Sequence, residues 1–440
     1  MKRILLVNPW IADVAAYNFW FRPLGLYEIA SWIDARGGTP LLADTLAGTP
    51  APGKFERRIV AAPHPFLAGI KRRFARYGMA EEGFVAMLKK MEPFRAAVIT
   101  SGMSYWYPGI QWITDIIRRR YPGTQTVLGG IYATLWHEHA KKYSGADHVI
   151  KGSLAANSKL LARLLELPEK PVREARPWYE LGLHDGVDYA AIRITEGCPF
   201  RCTYCASRLL SDGFAQRNIK VVFNELECLY NLGVRQAAFY DDALLVNFKS
   251  HLRPLLAKIR KAGLRYRFHT PNAMHAGLVD MECAESLMAG GFETVRMGLE
   301  TVNPVRQGTT GGKVRNRDVK RAVRLLHGAG FRPDAIGIYL LAGLPGQTVD
   351  EIRQGIFFVK ELGARPFIAE FSPIPGTIEW TSLEKAGVVS LAMDPLLTNN
   401  SVFCHFFHKT TGQGISPETM LELRQACVLK EHDNVRSEYY

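Results

Sequence analysis

The stretch Thr195-Glu-Gly-Cys-Pro-Phe-Arg-Cys-Thr-Tyr-Cys205 sets three cysteines, Cys198, Cys202 and Cys205, at C-x₃-C-x₂-C spacing. A cubane iron–sulfur cluster needs thiolates on several of its irons, and one short loop can supply three. The fourth iron is then open to bind a small molecule and pass it an electron. Structural zinc takes four ligands in paired knuckles, and no second C-x₂-C exists in the chain. A disulfide framework needs more cysteines in a much smaller chain. A thioredoxin-like pair explains Cys202 and Cys205 but leaves Cys198 without a role. The remaining competitor is a chance cluster of buried cysteines, since free cysteine is commonly buried.

Gly197-Cys-Pro-Phe-Arg-Cys-Thr-Tyr-Cys205 resembles the cluster loop of the radical S-adenosylmethionine (radical SAM) superfamily. That pattern is C-x₃-C-x-aromatic-C, with Tyr204 in the aromatic place. The resemblance runs over residues 189–377. It implies a [4Fe–4S] cluster on Cys198, Cys202 and Cys205, whose open iron binds the amino and carboxylate groups of S-adenosylmethionine. In that family the cluster cleaves S-adenosylmethionine reductively to methionine and a 5′-deoxyadenosyl radical.

Length and composition frame this loop. The 440 residues are 47% hydrophobic, enough for two or three domains. No apolar run reaches the roughly 18 residues of a membrane span. The N-terminus continues as strand, turn and polar helix rather than as a signal peptide. The expected location is the cytoplasm, and seven cysteines fit a reducing compartment. Net charge is +13, from 55 Lys and Arg against 42 Asp and Glu. The basic residues are dispersed and no RNA-binding motif appears, so nucleic acid is not the expected partner.

Alternating strands and helices over residues 1–167 predict a doubly wound, Rossmann-like parallel sheet. An insertion at 47–93 interrupts it, with Lys71, Arg72, Arg73 and Arg76 on an expected helix and a second helix near Glu82. Ligands of such sheets bind beyond the carboxyl ends of the strands. Those ends carry Ser101, Gly102, Gly129 and Gly130, and aromatic clusters at Trp10 to Phe21 and Tyr105 to Tyr107. The aromatics suit a flat corrin, an apolar substrate or packing on another domain. Pro23-Leu-Gly-Leu and Leu128-Gly-Gly-Ile-Tyr-Ala-Thr134 resemble the cobalamin-binding domain that precedes many radical SAM barrels. That resemblance implies cobalamin against Ser101, Gly102, Gly129 and Gly130. No His lies between Asn8 and Ser31, so the Asp-x-His-x-x-Gly loop that ligates cobalt elsewhere is absent. Cobalamin without a protein ligand and a vestigial domain that only shapes the pocket are both compatible. His137 and His139 are two apart on a helix and face different directions.

Residues 168–188 read as a linker. Six βα units over 189–385 then predict a partial (β/α)₆ barrel of the TIM type, with the cluster loop after its first strand. Residues 386–440 read as a small helical tail. The later strand ends supply the other candidate groups: Tyr240, Asp241 and Asp242, then Asn272, then Arg296 and Glu300. Strand alternation sets Arg296 and Glu300 on one face. By the family resemblance Tyr204, Tyr240, Asp241, Asp242, Asn272, Arg296, Glu300, Ile338 and Gly343 hold S-adenosylmethionine. Arg296 is expected on its carboxylate or on Glu300 itself, and Ile338 along its adenine. No further catalytic residue is legible.

The expected function is radical SAM catalysis on an unidentified small-molecule or peptide substrate, with an external electron donor such as flavodoxin or ferredoxin. Cobalamin-dependent methyl transfer is the leading outcome if cobalamin binds. Cobalamin-independent rearrangement, RNA modification and a non-catalytic cluster sensor are the alternatives.

Overall fold

The computed structural model describes residues 2–183 and 188–428. It divides into two compact units, residues 1–188 with 209–212 and 390–399, and residues 189–208, 213–389 and 400–440. The last residues of the expected tail, 429–440, and part of the expected linker, 184–187, lie outside the described residues.

Runs of consecutive apolar residues build the first unit's sheet, because strands covered on both faces need no polar alternation. Its strands are β1 (Arg3–Asn8), β2 (Thr39–Asp44), β3 (Ala96–Ile99), β4 (Gln125–Leu128) and β5 (His148–Val149). They are all parallel, in the order β5-β4-β3-β1-β2. Ile4, Leu6, Val98 and Val127 meet Leu26, Ala30 and Ile33 of the helix Leu24–Ala35 in one core.

The insertion differs from its expected form. Arg76 lies on a strand, Ala75–Tyr77, and Lys71 to Arg73 lie outside any helix. That strand pairs with Ile11–Asp13, just beyond β1, and with Arg57–Ile59. The insertion is thereby sewn across the end of β1, and the helix Glu81–Met91 completes it. Residues 390–399 also differ from a free tail. Tyr107 Oη donates to Asp394 at 3.0 Å, and Asn399 Nδ2 donates to the buried Asp13 at 2.8 Å. The linker is held too, with Arg173 and Arg176 on the buried Asp34 at 2.5 and 2.6 Å.

In the second unit six parallel strands follow one another in chain order: β6 (Tyr189–Ile192), β7 (Gln236–Phe239), β8 (Arg267–His269), β9 (Phe292–Glu300), β10 (Ile336–Ala342) and β11 (Arg365–Glu370). Sequential parallel pairing with helical crossovers is the topology of a partial barrel. Side-chain caps start the crossovers cleanly. Asp280 accepts from Cys283 N and Thr348 from Glu351 N, which satisfies amides that lack partners in a helix's first turn. The helices Asn400–Thr411 and Pro417–Ala426 lie against β11, where Arg424 pairs with Glu370. Among the described residues no helix is long and apolar enough to cross a membrane.

Candidate functional site

The cluster loop is tied at its base. Thr195–Glu196 pairs antiparallel with Ala215–Gln216, and the three cysteines lie between those strands. Asp241, at the end of β7, accepts from Ile194 N at 2.9 Å, from Thr195 Oγ1 at 2.7 Å and from Thr195 N. Asp241 is therefore an anchor beneath the loop rather than a wall of the site, and its neighbour Asp242 lines the cavity instead. Burial pushes the Asp241 carboxyl up to about 6, against these hydrogen bonds, which pull it down. Between about pH 4 and 6 the folded chain then keeps a proton that the unfolded chain has lost, so this group lowers stability as pH rises through that window. Asp241→Asn keeps an acceptor and removes the buried charge. Its thermal midpoint should exceed that of the parent at pH 8, and the gain should vanish near pH 4.

A cavity of about 340 Å³ opens at the carboxyl ends of the barrel strands. Cys198, Cys202 and Cys205 line one side with Phe200 and Tyr204, and Asp242, Asn272, Glu300 and Tyr339 line the rest. All three cysteines are free thiols, with Cys205 exposed and the other two half-buried. Burial raises the Cys198 and Cys202 thiols, and the Lys313 ammonium opposes this. Among the described residues no three His, Cys, Asp or Glu side chains close on a single-ion site. A cluster does not require that convergence, because its thiolates bond separate irons. The donor set fits a [4Fe–4S] cluster, which Cys198, Cys202 and Cys205 would hold at the cavity.

Glu300 is the most constrained group of the site. It holds a left-handed backbone, φ 66°, at a register shift between β9 and β10. Non-glycine residues rarely adopt that conformation, and it gathers at functional sites. The strand's alternation breaks there, so the bulge decides where the carboxylate points. Gly298 makes the room: a Cβ there would lie 2.5 Å from Glu300 Oε1. Burial raises the Glu300 carboxyl, while the Lys313 ammonium and the Tyr204 hydroxyl pull it down. Asn272 Nδ2 donates to Tyr240 O at 3.1 Å, which fixes its amide at the cavity wall. The Tyr240 side chain is not among the cavity-lining groups.

Arg296 does not share the cavity with Glu300. Its guanidinium lies 4.4 Å from the Phe367 ring centre, and Nη1 donates to Val295 O and Ala335 O. A Cβ on Gly337 would lie 2.5 Å from Arg296 Cδ and 2.7 Å from Phe367 Cε2. Arg296 and its register partner Gly337 thus lie against the Phe367 ring in the barrel interior, and the register neighbours Gly298, Tyr339 and Phe367 stand one layer nearer the mouth. Arg296 is not among the residues that line the cavity, although its neighbour Tyr339 is. Ile338 faces the helices, not the mouth. It shares its side of β10 with Leu340, which packs on Gly355 of the helix Val349–Glu361, while Tyr339 on the other side reaches the cavity. Gly343 is met by the Cys404 side chain, and Gln347 staples its turn by accepting from Gly343 N at 2.9 Å.

Lys313, Arg208 and Tyr339 are among the lining residues that sequence reasoning missed, and Lys313 shows why. It follows a glycine pair inside a loop, with no periodic or motif context to single it out.

In the first unit the strand ends behave differently on the two sides of β3. Between Asn8 and Ser101 the cleft holds only about 10 Å³, filled by Trp10, Phe21 and Trp106. Trp10 packs edge-on to Phe84 at 5.1 Å and donates to Met79 O at 2.8 Å, so the insertion takes up this aromatic ring. A Cβ on Gly102 would lie 2.8 Å from Trp106. Beyond β4 the edge is open. A Cβ on Gly129 meets nothing within 4 Å, and Gly130 turns with φ 88° as Ser101 Oγ accepts from Tyr132 N at 2.8 Å. His139 is half-buried among tyrosines, with Nδ1 2.6 Å from Tyr132 Oη, and burial lowers it to about 4.

Comparison with known proteins matches this architecture. The family model of the radical SAM superfamily matches residues 192–359. An uncharacterized methyltransferase of Pyrococcus horikoshii is 27% identical over 288 residues, 62% of this chain and 61% of that protein. The hopanoid C-2 methylase of Rhodopseudomonas palustris is 25% identical over 321 residues, 66% of this chain and 58% of that protein. The chain thus spans about three fifths of the length of these curated relatives. Among solved structures, the radical SAM methyltransferase TsrM of Kitasatospora setae, with cobalamin and a [4Fe-4S] cluster bound, superposes with a TM-score of 0.65 at 18% identity, covering 88% of this chain and 78% of TsrM. The cobalamin-dependent radical enzyme OxsB, with aqua-cobalamin bound, gives 0.57 at 11% identity, covering 94% of this chain and 62% of OxsB. The thiol loop and the six-stranded partial barrel agree with the radical SAM match over residues 192–359, and the chain shares the fold of TsrM and OxsB, a parallel-sheet domain followed by a partial barrel.

Proposed function

We propose that this enzyme holds a [4Fe–4S] cluster on Cys198, Cys202 and Cys205 and uses S-adenosylmethionine for methyl transfer to a small-molecule or peptide substrate. The observation that carries the reading is one cavity, at the barrel mouth, lined by all three thiols and by Glu300, Asn272 and Asp242. When bound, the cluster supplies the electron that cleaves S-adenosylmethionine to methionine and a 5′-deoxyadenosyl radical. The protein's part is positioning and exclusion of water. Glu300 accepts hydrogen bonds from hydroxyl or ammonium donors of the ligand, and Asn272 offers a fixed amide. Tyr339 donates to Pro271 O at 3.0 Å, which fixes its ring at the cavity wall. An acidic small electron carrier such as flavodoxin or ferredoxin is the proposed reductant.

Cobalamin is the proposed methyl carrier, supported by the fold shared with TsrM and OxsB and by the open Gly129-Gly130 edge. The Asn8–Ser101 cleft is too small for any part of it. Gly129 and Gly130 are the residues that would flank its nucleotide tail, because a side chain there fills the edge.

Two measurements test this. Anaerobic, reconstituted protein reduced with dithionite should release 5′-deoxyadenosine and methionine from S-adenosylmethionine; no release would end the catalytic reading. Hydroxocobalamin should bind with a base-off spectrum, and Gly129→Val, which the fold accommodates, should prevent it. Absence of binding at micromolar protein and excess cobalamin would put cobalamin-independent radical chemistry in place of methyl transfer.

A further inference from the structure

Residues 301–330 hold seven Lys and Arg against one Asp, so part of the chain's charge is concentrated here rather than dispersed. The helix Asn316–Gly328 sets Arg317, Lys320, Arg321 and Arg324 at i, i+3, i+4 and i+7, one stripe of a helix. All four are exposed, while Val319, Ala322, Val323 and Leu326 are buried. Arg321 donates to Gly277 O at 2.9 Å. Arg317, Lys320 and Arg324 make no ion pair or side-chain hydrogen bond with the described residues. The one acid, Asp318, is taken up at the helix start, where it accepts from Arg315 N at 3.0 Å. Exposed cations elsewhere on the barrel find partners, as Lys249 and Arg253 do on Glu282. Like charges at i, i+4 weaken a helix, and cations are unfavourable in its first turn. The stripe therefore costs the helix stability that an anionic partner would restore.

The same segment covers the cluster loop. Between the helices Pro304–Thr309 and Asn316–Gly328 the chain runs Thr310-Gly-Gly-Lys313, and Thr203 N donates to Thr310 O at 3.3 Å. A Cβ on Gly311 would lie 2.7 Å from Arg201 O and 3.1 Å from Cys202 Cα. Gly311 and Gly312 are exposed, so the outer surface over Cys202 is bare backbone. Asn316 comes three residues after Lys313 of the cavity wall, a span of at most about 11 Å. Val305 and Ile378, 75% and 63% exposed, stand on the two helices tied to Thr203, whose Oγ1 donates to Glu379 at 2.8 Å. Exposed aliphatic side chains rimmed by charge have the make-up of a protein interface.

We propose that this face docks an acidic electron-carrier protein, which delivers its electron across the Gly311-Gly312 backbone. The inference rests on the radical SAM reading above, which requires one electron for each cleavage. The carrier, a low-potential flavin or iron–sulfur protein, is oxidised by one electron and the cluster is reduced by one, with no atom transferred. Charge complementarity selects an acidic occupant. The exposed side chains beside the loop are aliphatic, without the aromatic rings on which nucleic-acid bases stack.

The test uses iron-loaded protein carrying Arg317→Glu with Lys320→Glu, and an acidic flavodoxin as the probe. Binding of oxidised flavodoxin at low salt, measured by calorimetry, should weaken roughly 10-fold, and flavodoxin-driven release of 5′-deoxyadenosine should lose about as much in kcat/KM. Dithionite-driven release needs no docking and should stay within about twofold. Added salt should weaken binding to the parent and change that of the variant little. Arg260→Glu with Lys261→Glu removes the same charge from the last turn of the helix Leu252–Lys261, at the opposite end of the barrel, and should match the parent within about twofold. Equal losses in the two double variants would reduce the effect to net charge and overturn the site. An equal loss with dithionite, unchanged flavodoxin binding, or a parent that binds no flavodoxin at low salt would overturn it as well. Unchanged flavodoxin binding with loss of a labelled RNA would give the face to nucleic acid instead. A parent that binds flavodoxin but releases no 5′-deoxyadenosine with dithionite would overturn the radical SAM reading, and with it the role of this face in reduction.

Discussion

Replacing Cys198, Cys202 and Cys205 together by Ala should remove the cluster iron completely, along with its brown absorption and all reductive cleavage of S-adenosylmethionine. The loss is expected to be total because the loop holds the only three thiols of the chain that line the cavity. The other four are spread away from it. Cys283, Cys404 and Cys427 are buried, and Cys228 lies on the helix Ile219–Asn231. Burial pushes the Cys283 and Cys404 thiols up to about 12, which leaves them poor metal ligands. The fold should survive. Cys205 is exposed and the other two are half-buried, so truncation opens little core and shifts stability by no more than about 1 kcal/mol. Full iron retained in a folded triple variant, by metal analysis and circular dichroism, would sink the cluster assignment.

The second large effect is expected at the β9 bulge. Glu300→Gln replaces a buried acceptor by an amide of the same shape. Binding of S-adenosylmethionine should weaken by about 1–3 kcal/mol, the value of a hydrogen bond to a charged group. Gly298→Ala should do similar damage without touching the ligand. Its methyl group would stand 2.5 Å from Glu300 Oε1, so the carboxylate must leave its place. The pair gives a check on cause. If Glu300 acts by its position, the double variant should be no worse than Glu300→Gln alone, because both changes remove one interaction. Additive losses, or a dissociation constant unchanged in Glu300→Gln, would contradict the role. Stability should fall little in Glu300→Gln, since the raised carboxyl is already disfavoured by burial.

The sequence by itself determined the three-thiol loop, the family resemblance it carries and the order of the elements. Cysteine spacing is a local property, and three thiols on one short loop stay together whatever the rest of the chain does. The six barrel strands were legible for a related reason: each is an apolar run bounded by glycine or polar turns, and sequential parallel pairing needs no long-range choice. Tertiary structure alone decided which strand-end residues face the cavity. Arg296 and Glu300 are four residues apart and read as one face, yet the register shift before Glu300 turns its carboxylate to the mouth while Arg296 packs in the interior against Phe367. Ile338 and Tyr339 are neighbours on one strand, and only the helix that covers Leu340 shows which of them looks inward. The aromatic residues after β1 were readable as a corrin platform until the insertion was seen to cover Trp10. Lys313 enters the cavity through a backbone contact between segments about 110 residues apart, Arg201-Cys202 and Gly311. Local patterns carry periodicity and spacing. They do not carry the side of a bulge, the partner of a loop, or the segment that comes to lie on top.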